Sequence, residues 1–415
     1  MPEPLSAKLR ALGVKVGARD LPAPPPVEAR PRHAHAIDRV VPGRTLVNAD
    51  GECYLVENAY ADDYLHGHAP LHAPYPLGTI AQWARDERMA GCPRERMLFL
   101  DIETTGLAGG TGVWPFMVGL GWFGGGQFVV EQLFMRNPLE EAALLSALAE
   151  RLAACDMLVT FNGKAFDVPL LKNRYGMHRR TMLVADKAHL DLLSLARRLW
   201  RDRLASRALG SLEQHILGAR RSQSDVPGWM IPMIYFEYLR NDDARPLKGV
   251  FYHNALDIVA MAALLGHVAQ MTHDPLGTRM QHPVDYLSLG RMYEEMGQLD
   301  TAARIYEQSM NDNLPDDSFR EAARRLSAVY RRTDRFAQSL ELWLEAAKRG
   351  EVYALINLAM YYEHRTRDYA MAERMTFDAI RAVSAGKAPP AERRRLLPEL
   401  QYRLERVQRK GQRTV

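Results

Sequence analysis

The 415-residue chain has only three cysteines, Cys53, Cys92 and Cys155, and they lie far apart. An odd, scattered set supplies neither a zinc-binding spacing nor a disulfide framework. It excludes a small stapled secreted scaffold and fits a reduced, cytoplasmic setting. A strong charge excess is also missing: 54 Lys and Arg stand against 50 Asp and Glu, a formal net charge of +4. Bulk charge therefore marks neither a nucleic-acid binder nor a membrane binder, and only its local distribution carries information. No apolar run reads as a membrane span and the N-terminal residues have no signal-peptide core, so no membrane partner is expected. Hydrophobic residues at 47% and charged residues at 25% are ordinary for a globular chain. The length leaves room for two or three domains, each with its own core.

What is present centres on residues 97–106, MLFLDIETTG. Met97, Leu98, Phe99 and Leu100 form an apolar run that predicts a buried strand. Side chains alternate along a strand, so Asp101 and Glu103 share one face and Ile102 takes the other. Two carboxylates on one face at the end of a core strand repel each other unless a cation lies between them. A bare charged strand end is the competing reading, and the rest of the chain must supply further ligands to displace it.

Residues 1–94 are expected to be an N-terminal extension. Its first 32 residues, with the run PAPPP, read as an extended arm, and TLVNADGECYLVEN reads as a hairpin turning at residues 48–51. His66, His68 and His72 lie in a proline-rich loop without metal-binding spacing. Residues 95–275 carry a mixed α/β pattern. Strands are expected over 97–102, 115–123, 127–134, 157–161 and within 183–191. Helices are expected over 140–154, near 169–175, and over 192–200, 211–217, 232–239 and 249–270. This order resembles a ribonuclease H-like α/β fold, a mixed sheet with flanking helices. Residues 283–385 are purely helical and repetitive. Leu289, Gly290, Tyr293, Ala302 and Tyr306 are echoed by Leu326, Ser327, Tyr330, Ser339 and Trp343, then by Leu358, Ala359 and Tyr362. These are the small and aromatic positions of a tetratricopeptide-like hairpin, so an all-α helical-repeat domain is expected, able to receive a protein partner. Residues 386–415 form a basic tail. A second arginine cluster spans residues 196–221, and both suit phosphate backbones or a solvated helix face.

Two further acidic positions complete the chemistry. Asp167, in TFNGKAFDVPLL, follows a strand and precedes a Val–Pro helix start, so capping the helix is its alternative role. Phe166 is expected to pack beneath it and Asn162 to hydrogen-bond across the loop. Asp257, in VFYHNALDIVAMAALL, lies among apolar helix residues, with His253 one turn earlier on the same face. Asp101, Glu103, Asp167 and Asp257 together form the set that a two-metal phosphodiesterase needs. Mg2+ or Mn2+ prefers such hard oxygens, and two ions about 3.5–4 Å apart can activate water and stabilise a leaving oxygen. Next to a metal site His253 becomes a candidate general base. Lys164 and Arg174 are candidates for phosphate contact or, equally, for a solvated surface; Asp191 is a candidate acidic neighbour, and Asp225 reads as structural.

DIETTGL, FNGKAFDVPLL and YHNALD, in that order, resemble the three motifs of the DEDD 3′–5′ exonuclease superfamily. The resemblance is to the YprB-type ribonuclease H-like domains and, more distantly, to the proofreading domains of family B DNA polymerases. RSQSDVPGWMIPMIYFEYL resembles the YprB type as well. The likeness implies a metal-dependent exonuclease acting on a DNA or RNA strand end. Asp101 would be the ligand shared by two ions, with Glu103, Asp167 and Asp257 completing the site, and Thr104, Thr105, Gly106 and Leu107 would hold the terminal nucleotide. These groups carry His five positions, or Tyr four positions, before the last Asp. Here Tyr252 is five before Asp257 and His253 four before, so the histidine stands at the tyrosine position, with His253 as the expected base and Tyr252 as the alternative. A non-catalytic scaffold working through the repeats, or a structure-specific endonuclease, are the alternatives.

Overall fold

The computed structural model describes residues 35–61, 63–71, 76–106, 112–278, 280–311 and 314–413. The proline-rich arm, His72 and the candidate substrate residue Leu107 lie outside the described residues.

A seven-stranded mixed sheet organises the molecule. Its strands are β1 (Arg44–Asn48), β2 (Gly51–Ala61), β5 (Met97–Thr104), β6 (Pro115–Gly124), β7 (Gln127–Phe134), β8 (Met157–Thr160) and β9 (Ala188–Asp191). β3 (Leu65–His66) and β4 (Ala69–Pro70) pair separately as a small hairpin. The order across the sheet is β1-β2-β7-β6-β5-β8-β9. β5 pairs antiparallel with β6 and parallel with β8, and β8 pairs parallel with β9. The hairpin turning at residues 48–51 is present, but it does not stand apart from the α/β segment. β2 pairs along β7 from Tyr54–Phe134 to Ala61–Gln127 and widens the same sheet.

Period-two alternation sorts the core. Met97 and Phe99 join one cluster with Ile258 and Val259, while Leu98 and Leu100 join the other with Leu144 and Leu148. The second cluster is covered by α1 (Glu141–Ala154), α2 (Asp167–Met177) and α4 (Ile231–Asn241). The first is covered by α3 (Leu192–Trp200) and the long α5 (Leu247–His273). Asp101 and Glu103 continue the alternation onto the α5 face. α5 corrects one expectation. Its 27 residues are long and apolar enough to cross a membrane by length and composition, yet 78% of its most apolar window is buried inside the protein. It is apolar nearly all round because the sheet covers one side and helices the other.

Seven helices follow: α6 (Pro283–Glu295), α7 (Leu299–Asn311), α8 (Asp316–Arg332), α9 (Phe336–Lys348), α10 (Val352–Tyr361), α11 (Tyr369–Ser384) and α12 (Pro390–Gln412). Each packs against the next. Gly290 is required at one crossing, since a Cβ there would lie 2.5 Å from the Tyr306 ring. Residues 390–412, expected as a basic tail, are the helix α12. Arg403, Arg406 and Lys410 close on the fully buried Glu363 side chain at 2.9, 2.8 and 3.0 Å. Part of the arginine cluster at 196–221 is likewise spent on structure, while Arg197, Arg201 and Arg220 are exposed. Arg198 pairs with Glu295 at 2.9 Å and Arg203 with Asp285 at 2.5 Å, while Asp202 receives Arg291. These ion pairs join α3 and the loop after it to α6.

Candidate active site

The four acidic residues arrive from three elements. β5 carries Asp101 and Glu103, the first residue of α2 is Asp167, and α5 carries Asp257. Asp101, Glu103 and Asp257 are half-buried and Asp167 is buried. Their charges act on one another. Burial first, then the Asp257, Glu103 and Asp167 charges, push the Asp101 carboxyl well above the ordinary carboxylate range. Burial and the charges of Asp257 and Asp167 do the same to Glu103, against a lowering pull from Arg221. Burial pushes Asp167 up to about 7. Asp257 is raised by burial despite Arg221 and His253 beside it. Residues scattered through the sequence thus share one acidic pocket, and keeping them ionised without a cation is unfavourable.

Local structure explains how each is held. Asp101 lies opposite Gly119 in the β5–β6 register, and its Oδ2 accepts from Asn254 Nδ2 at 2.9 Å. The ladder shifts register between Glu103 and Thr104, which ends the strand at the site. Asp167 does not cap its helix: Phe166 occupies the cap position and Asp167 is the first helical residue. Phe166 does not pack beneath it but is 58% exposed, because the turn before α2 directs its ring outward. That turn needs a left-handed residue at Asn162, with φ of 67°, and a glycine at 163, where a Cβ would meet Thr160 Cβ at 2.5 Å and Asp167 Oδ2 at 2.8 Å. Asp191 braces the same turn. Its carboxylate accepts from the backbone N–H of Asn162 at 2.8 Å, Lys164 at 3.2 Å and Leu193 at 3.1 Å. Thr104 donates to the Gly106 carbonyl at 2.8 Å, and Thr105 Oγ1 accepts from Trp114 N–H at 2.9 Å. Those two hydroxyls bond residues 104–106 beside Glu103 to one another and to Trp114.

The two candidate bases part company. Tyr252 Oη accepts from Ser222 N–H at 3.1 Å. His253 sits between two carboxylates, with Nδ1 2.8 Å from Asp225 Oδ1 and Nε2 3.5 Å from Asp257 Oδ2. Asp225 is thus an acidic residue aimed at the site through His253. Nothing in its local sequence signals this, because the contact spans 28 positions. Arg174 is no phosphate ligand. It is buried and pairs with Glu141 at 2.5 Å, joining α2 to α1, whereas Lys164 is exposed.

Arg221 was missed altogether by sequence reasoning, which grouped it with the other arginines. It bonds Asp257 and also Glu213 at 2.5 Å, and lies 3.5 Å from Asp225. The chemistry of the four carboxylates suits a hard divalent ion. Among the described residues, no three Asp, Glu, His or Cys side chains are placed so as to hold an ion as they stand. Arg221 supplies the positive charge in this arrangement.

The raised carboxyls make metal-free stability pH-dependent. In the unfolded chain these groups ionise near pH 4. In the folded chain Asp167 keeps its proton to about 7, and Asp101 and Glu103 are raised well above their ordinary values. The folded state therefore binds more protons, and stability falls as pH rises from about 4 to 7. A divalent ion removes this penalty by favouring the ionised form. Melting scans with and without Mn2+ should show a larger Mn2+ gain at pH 8 than at pH 5; an equal gain at both would contradict the shared pocket.

A family model matches the α/β part of the chain. Residues 98–269 match the model of the RNase_H superfamily. The chain is 28% identical over 337 residues to the uncharacterized protein YprB of Bacillus subtilis (strain 168), covering 79% of this chain and 80% of that protein. A family B DNA polymerase from the archaeon Pyrobaculum calidifontis is similar at 15% identity and a TM-score of 0.34, over 52% of this chain and 30% of the polymerase. Residues 98–269, the part of the chain that is similar to this model, include Asp101, Glu103, Asp167 and Asp257.

Proposed function

We propose that the protein is a divalent-metal-dependent nuclease, and specifically a 3′–5′ exonuclease that hydrolyses the terminal phosphodiester of a single DNA or RNA strand. One observation carries the reading: the Asp257 and Asp167 charges act on both Asp101 and Glu103 and raise their proton affinity, in a pocket beside His253. RNase H-like nucleases generally use divalent ions, and this donor set fits Mg2+ or Mn2+, two ions in the expected arrangement. Bound there, they would supply positive charge for the attacking water and for the departing 3′ oxygen.

The chain's own groups supply the rest. Asp225 accepts the His253 Nδ1–H at 2.8 Å, which fixes the ring and leaves Nε2 as its acceptor toward the pocket. His253 takes the proton of the attacking water, and Asn254 holds the Asp101 carboxylate in place. The loop of Thr104, Thr105 and Gly106 borders the end of β5, where a terminal nucleotide would be seated. Asn162 joins it from the turn before Asp167. The stacked C-terminal helices, with buried Gly290, Ala302, Ser327, Ser339, Ala359 and Ala372 at their crossings, support tetratricopeptide-like repeats that present a surface to a protein partner. The free cysteines suit a reduced cytoplasmic setting.

The test is hydrolysis of 5′-labelled single-stranded DNA and RNA in Mn2+. A ladder shortening from the 3′ end is expected, and no cleavage of any linear or circular substrate would overturn the proposal. His253→Ala should lower the rate by about a hundredfold or more, the usual contribution of a general base. Tyr252→Phe should leave it near wild type, and the reverse pattern would transfer the base to Tyr252.

A further inference from the structure

We propose that His66 and Glu213 are positioning residues for Arg221, so that the small β3–β4 hairpin, outside residues 98–269, completes the candidate active site. This rests on the nuclease reading above and deepens it. The hairpin fixes a guanidinium, and the guanidinium sets the side chains of Asp257 and His253.

The contacts form an unbroken chain. His66 Nε2 lies 2.9 Å from Glu213 Oε1, and a carboxylate can only accept, so the ring donates. Arg221 Nε and Nη2 donate to the other oxygen, Glu213 Oε2, at 2.8 and 2.5 Å. The same Nη2 donates to Asp257 Oδ1. Arg221 Nη1 lies 3.5 Å from Asp225 Oδ2, and the other oxygen of Asp225 accepts from His253 Nδ1 at 2.8 Å. Asp257 Oδ2 lies 3.5 Å from His253 Nε2. One guanidinium therefore touches both carboxylates that flank the imidazole.

Holding Glu213 at both oxygens does more than neutralise it. The last torsion of a glutamate is soft, so a partner on one oxygen leaves the carboxylate plane free to turn. Donors on both oxygens fix that plane, and with it the direction of the rigid Nε–Nη2 fork. The fixture is buried: Glu213 is 1% exposed and His66 6%. Glu213 opens a π-helical turn, Glu213–Leu217, and the hairpin docks on its far end, where His68 N–H donates to the Leu217 carbonyl at 2.9 Å. Gly67 makes that approach possible. Its φ is 67°, and a Cβ there would collide with the same carbonyl. The histidine is thus delivered to Glu213 by backbone built for close contact.

A double-mutant cycle tests the chain, with kcat and KM measured on a 5′-labelled single strand in Mn2+. His66→Ala should lower kcat by about tenfold or more, the scale for losing an outer partner of a site carboxylate, with KM unchanged. His66→Gln keeps a donor and should restore most of the loss. Arg221→Gln should also lower kcat, and adding His66→Ala to it should cost nothing further, because His66 acts only through Arg221. A histidine with a merely structural role would lower activity equally in both backgrounds. If His66→Ala does not fold, Glu213→Gln, equal in size, takes its place in the cycle with the same expected result. A metal-free crystal of the folded variant gives a readout without activity: Arg221 should no longer bridge residues 213 and 257. An intact bridge, a wild-type kcat, or losses that multiply in the double variant would overturn the positioning role. No hydrolysis by the wild type would overturn the nuclease reading instead, while the crystal still judges the contact chain by itself.

Discussion

Asp101→Asn is expected to abolish hydrolysis and, in the same molecule, to make the metal-free protein more stable. The two effects have one cause. Asp101 is pushed well above the ordinary carboxylate range by burial and by three neighbouring acids, so its ionised form is unfavourable in the folded chain. Asparagine has the same shape, and its carbonyl oxygen can still accept from Asn254 Nδ2, which now donates to Asp101 at 2.9 Å. Removing the charge should stabilise the metal-free fold by about 1–3 kcal/mol, the scale for relieving one poorly compensated buried polar group. The same substitution removes an oxygen donor at the centre of the acidic set. Loss of a ligand's outer partner alone costs about 10–100-fold, so loss of the ligand should cost more. Thermal melting in a chelator and hydrolysis in Mn2+ read the two sides. An inactive variant that is also less stable would mean that Asp101 is a structural residue, not a site held at a cost.

Gly119→Ala should damage both the fold and the site, although Gly119 bears no functional group. The glycine faces Asp101 in the β5–β6 register, and a Cβ there would lie 2.2 Å from Asn254 Oδ1. Asn254 is fully buried, donates to Asp101, and accepts from Gln132 Nε2 at 3.0 Å. Gln132 Nε2 also donates to the Phe251 carbonyl at 2.8 Å, so the network ties α5 to β7 and β5 together. The next glycine on the same face, Gly121, gives way to Ile258 of α5, whose Cγ2 would be 2.4 Å from a Cβ. Two glycines spaced by two residues thus let the long helix lie directly on the strand. An added methyl must push α5 off the sheet or push Asn254 off Asp101. Overpacking of this kind costs about 1–3 kcal/mol. Denaturant unfolding should show that loss, and Mn2+ affinity should fall by about 10–100-fold, as when an outer partner of a ligand is removed. Wild-type values for both would show that Asn254 does not set the Asp101 carboxylate.

How much of this was legible in the sequence follows from the range of the interactions. β5 and its paired carboxylates were readable because strand alternation is local: Phe99, Asp101 and Glu103 share a face whatever surrounds them. The hairpin at 48–51 was readable from its turn residues, but its place in the sheet was not. That depends on pairing Tyr54 with Phe134, a register set by tertiary packing. The arginines at 196–221 looked like a phosphate-binding run because sequence shows a charge and not its partner. Glu295, Asp285 and Asp257 claim Arg198, Arg203 and Arg221 from distant elements. Arg174 misled for the same reason, its partner Glu141 lying on α1. Asp225 was read as structural, and its carboxylate meets His253 across a loop, a contact that its local sequence does not show. His253, Asn254 and Asp257 interrupt the apolar pattern of α5, and His253 and Asn254 contact the carboxylates of Asp225 and Asp101.

The most direct test of the central claim is anomalous scattering from a crystal of the protein grown or soaked in Mn2+. The account predicts manganese peaks among the oxygens of Asp101, Glu103, Asp167 and Asp257. A well-ordered crystal with no manganese at these carboxylates, or with it bound elsewhere while they stay empty, would contradict it.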